Sequence, residues 1–122
     1  MDKKVYNFCK DQIQKHPVSV MYDPINDSKE YSVILDDGRM LVLMFYTTVI
    51  MGNIRFIHYI ITIEDTILTE VLIPSNKKLH SAKEQDILDL FKLCSNKIIF
   101  QEMNHNFYDI LKKKTQENIR LN

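Results

Sequence analysis

The chain has 122 residues, 45% of them hydrophobic and 26% charged, with only two Gly and three Pro. That length suits one domain with its own core, and the composition excludes disordered and fibrous classes. Sixteen basic residues balance sixteen acidic ones, so the chain as a whole lacks the basic footprint that marks a nucleic-acid or anionic-membrane binder.

Cys9 and Cys94 fall on the apolar stripes of separate predicted helices, and no secretory segment precedes them. Buried free thiols in a reducing, cytoplasmic compartment are expected. The Asn26-Asp27-Ser28 triplet matches a glycosylation acceptor, which has no meaning in that compartment. The longest apolar run, Met40 to Tyr46, is far shorter than the ~20 residues of a spanning helix. The abundance of Ile, Lys and Asn is that of AT-rich coding, as in phages and low-GC bacteria.

Residues 2 to 16 place Val5, Phe8, Cys9, Gln12 and Ile13 at helical spacing, and Pro17 ends the pattern. Val18 to Tyr22 reads as a short edge strand before the Asp23-Pro24 turn. From Glu30 to Pro74, runs rich in Val, Ile, Thr, Tyr and Phe are broken at Asp36-Asp37-Gly38, Met51-Gly52-Asn53 and Glu64-Asp65. This is the pattern of consecutive hairpins. Ser81 and Glu84 form a capping box ahead of Ile87, Leu90, Phe91 and Cys94, predicting a second helix. Lys97 to Phe100 reads as a brief strand or linker, Phe107, Ile110 and Leu111 as the apolar face of a third helix, and the tail from about residue 115 as frayed. The expectation is a single α+β domain over residues 1–122: an N-terminal helix, a four- or five-stranded antiparallel meander, and two C-terminal helices packed on the sheet.

If Asp37-Gly38 and Gly52-Asn53 each make a two-residue turn, one face carries Tyr31, Val33, Leu35, Met40, Val42, Met44, Tyr46, Ile57, Tyr59 and Ile61. A two-residue turn at Glu64-Asp65 adds Leu68 and Leu72. The other face then collects Ile34, Leu41, Leu43, Phe45, Thr47, Phe56, His58, Ile60, Thr69, Val71 and Ile73. Both faces are apolar, and the predicted helices cover only one. An apolar patch larger than monomers usually expose is expected on the second face, with Phe45, Phe56, Leu43 and Ile60 as its partner-binding residues.

His58, with Thr47 opposite and Thr69 two strands away, makes a polar island on that face, the composition of a ligand pocket. No carboxylate is expected beside it. Glu102 and His105 form half of a carboxylate–histidine metal motif, but its second half is missing. The remaining Cys and His lack zinc spacing, and the Asp23 to Glu30 loop lacks the glycine and alternation of a calcium site. Neither Gly38 nor Gly52 lies between a strand and a helix, where a phosphate cradle would form. No metal and no cofactor are expected.

The pattern favours a non-enzymatic protein-binding module of the inhibitor, adaptor or anti-defence type, probing a protein partner or its own copy through the apolar face or an edge. The alternatives are a ligand-binding or hydrolytic pocket around His58, and nucleic-acid binding through Lys112, Lys113, Lys114 and Arg120.

Overall fold

The structure, a computed structural model, describes residues 1–50 and 52–103 with their side chains and 104–121 as helical backbone. Helix α1 (Lys3–Lys15) precedes strands β1 (Ser19–Asp23), β2 (Ser28–Ile34), β3 (Met40–Ile50), β4 (Ile54–Ile63) and β5 (Thr66–Pro74), and helix α2 (Ala82–Leu121) follows them. All five strands form one antiparallel sheet in chain order.

Each helix begins with a side-chain cap. Asp2 accepts from Lys4 N at 2.7 Å, and Pro17 forces His16 into the extended region, which ends α1. The capping box at α2 forms as expected: Glu84 accepts from Ser81 N at 2.8 Å, and Glu84 N donates to Ser81 Oγ at 3.2 Å. Lys77 adds its ammonium at 2.8 Å from Glu84. Together these groups hold the Glu84 carboxyl down at about 2, the Lys77 hydrogen bond contributing most.

The two expected C-terminal helices are one. Residues 82 to 121 contain neither Gly nor Pro, and the β-branched pair Ile98-Ile99 costs only about half a kcal/mol each in helix propensity. The expected break at Lys97 is instead an anchor. Lys97 Nζ donates to the Gln14 carbonyl at 2.6 Å, and the Gln101 amide bonds both Val18 N (2.8 Å) and Val18 O (2.9 Å). Phe107, Ile110, Leu111 and the polar tail lie beyond the described side chains.

The hairpin register differs from the expected one by a single residue. Gly38 N donates to Leu35 O at 3.0 Å, Leu35 N donates to Arg39 O at 2.7 Å, and Gly38 takes φ +88°. This is a three-residue loop, a type I turn closed by a left-handed glycine, in place of a two-residue turn. Ile50 pairs with Ile54, so the next loop is also one residue longer than expected. The two slips cancel between β2 and β4 but invert β3. At the third hairpin the two-residue turn holds, with Ile63 paired to Thr66, but a β-bulge between Ile61 and Thr62 shifts the rest of β5 by one residue.

Both helices lie on one face of the sheet. Cys9 and Ile13 of α1 and Ile87, Leu90, Phe91 and Cys94 of α2 bury against Tyr31, Val33, Leu41, Leu43 and Ile61. The Phe91 ring meets those of Tyr31, Phe45 and Tyr59 at 6.3, 5.8 and 5.0 Å. Edge-on aromatic pairs of this kind add about 0.5–1.5 kcal/mol each to the burial itself. The buried thiols are both free, and burial pushes Cys9 up to about 11 and Cys94 up to about 12.

Several expected face assignments are therefore corrected. Leu43 is fully buried and Phe45 packs on the core, so neither lies on the outer face. Thr47 pairs with Ile57 and Thr69 with Ile61, which puts both on the helix side. Val42 and Leu72, expected inside, stand on the opposite side, and Ile73 is buried in place of Leu72.

Candidate functional site

Among the described residues nothing covers the face away from the helices. Its cross-strand rows follow from the register: Ser32, Val42 and Thr62; then Glu30, Met44, Ile60 and Glu70; then Ser28, Tyr46, His58 and Leu72; then Thr48, Phe56 and Pro74. On β3 and β4, Val42, Met44, Phe56 and Ile60 form an apolar middle interrupted by His58 and the hydroxyls of Tyr46, Thr48 and Thr62, whereas the β1–β2 side is dominated by hydroxyls and carboxylates. Around the centre, Ile34, Ile54 and Ile67 are 62%, 51% and 54% exposed. An apolar middle with a polar margin is the anatomy of a protein interface.

Of the sequence-predicted site residues, this face brings together His58, Phe56 and Ile60. Phe45 and Leu43 lie in the core, and Thr47 and Thr69 stand behind the sheet from His58. Thr47 instead donates to Asp27 at 3.2 Å.

The partners of His58 are Tyr46 and Glu70. The Tyr46 hydroxyl lies 2.6 Å from His58 Nδ1, and His58 Nε2 lies 3.0 Å from Glu70 Oε2. A carboxylate only accepts, so Nε2 carries the proton, and in the neutral form of the ring Nδ1 accepts the Tyr46 hydrogen. A carboxylate thus does join His58, contrary to expectation. Unbroken alternation along β5 would put Glu70 on the helix side, and the bulge turns it outward. Tyr46 was hidden by the slip of β3. No composition or motif signals either residue; only the loop lengths and the bulge do.

The array borders a depression of about 410 Å³ lined by Tyr46, Thr48, Ile50, His58, Glu70, Val71 and Leu72. It is open to one side and does not enclose His58. Among the described residues no three His, Cys, Asp or Glu side chains gather as a metal-ligand group. No helix among them is long and apolar enough to cross a membrane. His105 and the cationic run at Lys112 to Lys114 fall outside the described side chains.

No protein-family model, curated protein or solved structure matches the chain.

Proposed function

We propose that this protein is a non-enzymatic protein-binding module of the inhibitor or adaptor type, working through the uncovered face of its sheet. The observation that carries this reading is the one-sided packing: two helices occupy one face, and no described residue covers the other, where Ile34 is exposed and Met44, Phe56 and Ile60 are half-buried. Five strands about 4.8 Å apart and averaging about eight residues span a face of roughly 650 Å². That is close to the ~800 Å² each partner contributes to a standard stable interface. The methionines at 21, 40 and 44 suit such a surface, because their flexible chains adapt to a partner.

An acid–base reading draws on the Tyr46–His58–Glu70 array. An enclosed cavity reaching His58 would favour it; the depression is open, and the array serves better as a polar orienting group within an interface.

The test changes Phe56 to Asp and follows fold by circular dichroism, self-association by light scattering, and binding of an apolar dye. Loss of association or dye binding with the fold retained supports the reading. A wild-type protein that is a clean monomer and binds no dye overturns it.

A further inference from the structure

We propose that the open face receives the C-terminal part of α2 from a second copy of this chain. The inference rests on the interaction reading above and names its occupant. The strand residues of the open face include Glu30 and Glu70 but neither Lys nor Arg: Lys29 and Arg55 belong to the helix side by register. A partner that matches this face is apolar with cationic neighbours.

Two sheets of this kind stacked face to face would set carboxylates against an equally acidic surface, with no cation to offset them. The end of α2 has the complementary chemistry. Where the helix passes the edge strand at Gln101, it presents Ile99, Phe100 and Met103, which are 53%, 60% and 65% exposed. The sequence carries that spacing on through Phe107, Ile110 and Leu111, then adds the four cations Lys112, Lys113, Lys114 and Arg120 against the two carboxylates Asp109 and Glu117. Phe100, Met103, Phe107 and Ile110 recur at alternating three and four residues, the spacing of a helix that lays one side on a partner.

A chain's own helix cannot supply this contact. α2 is unbroken to Leu121 and runs on the opposite side of the sheet from the open face, so the segment must come from another copy.

The decisive experiment mixes two full-length variants. Phe56→Asp disables the face and keeps the helix end; Lys112→Glu, Lys113→Glu and Lys114→Glu together disable the helix end and keep the face. Wild type is expected to associate at micromolar concentration, weakening about tenfold as added salt shortens the screening length. Each variant alone is expected to lose association, and their mixture to recover it as a mixed pair. Ile34→Asp, at a more exposed position of the same face, replaces Phe56→Asp should the latter unfold. A triple variant that still associates, or a mixture that recovers nothing, overturns the inference and leaves a face-to-face pair. A monomeric wild type whose dye binding is abolished by Phe56→Asp overturns it too, while the interaction reading stands with a different partner.

Discussion

The Tyr46 hydroxyl sits 2.6 Å from His58 Nδ1, the two residues being direct partners across β3 and β4. Because Glu70 accepts from Nε2 on the other side of the ring, this bond reports the tautomer. Nitrogen-detected magnetic resonance of the imidazole should show the Nε2-protonated form in the wild type and a loss of that preference in Glu70→Ala. Tyr46→Phe should cost about 1 kcal/mol in denaturant unfolding, the net worth of one such hydrogen bond, without disturbing the helices. An Nδ1-protonated ring in the wild type would contradict the assignment.

Gln101 replaces a missing strand. Its amide donates to Val18 O and accepts from Val18 N, as a neighbouring backbone would beyond the free edge of β1. Gln101→Leu leaves both Val18 groups without that partner, with an expected loss of about 1–3 kcal/mol. Amide exchange should accelerate at Val18 before it does in β3. Unchanged exchange there would mean that the clamp does not hold the edge.

Glu84 makes the protein acid-sensitive. Its carboxyl is held at about 2, below its ordinary 4.5, by Lys77 and the Ser81 N–H. A depressed carboxyl stabilises the fold above its unfolded value and loses that contribution as pH falls toward the folded one. Glu84→Gln keeps a capping side chain but drops the charge. Its melting temperature should lie below wild type near neutral pH and converge with it between pH 4.5 and about 2. A gap that stays constant over that range would assign the effect to packing.

The thiols should be silent in the folded state. Cys9 and Cys94 are buried at the α1–α2 contact, and burial raises both well above the ordinary thiol range. The thiolate is the reactive form, so a disulfide-exchange reagent should label neither until denaturant is added and then label both. Fast labelling of the native protein would show that the helices part readily.

Much of the fold is legible in the residues. The stripe from Val5 to Ile13, the capping box at Ser81 and Glu84, and the β-branched runs between turn residues each follow from local chemistry and recur in the structure. The sheet faces are legible only in part, because alternation counts residues without knowing how many a turn consumes. Asp37-Gly38 suits either a two-residue turn or a type I turn closed by Gly38, and the choice inverts β3. Hence alternation alone puts Tyr31 and Tyr59 on the side they occupy but exchanges Phe45 with Val42. His58 was legible as an outer-face residue, but its partners were not, since Tyr46 and Glu70 depend on those same counts. The α2 helix runs on past Lys97 because nothing in its sequence stops it, and its anchor to Val18 is a tertiary contact that local patterns do not encode.

The bulge in β5 has an evolutionary reading. Removing Leu68 would take out the unpaired residue and leave Thr69 beside Ile61 and Glu70 beside Ile60, whereas keeping Leu68 without the bulge would turn Glu70 toward Tyr59 and the helices and bring Thr69 out beside Ile60. A residue added to the strand and absorbed in a bulge, as Leu68 is, leaves the faces beyond it unchanged, while one that is not absorbed would trade the charge on one side of the sheet for a hydroxyl. In a chain built this way, insertions and deletions are as direct a route to new surface chemistry as substitutions, and homologues would be best compared by strand length before residue identity.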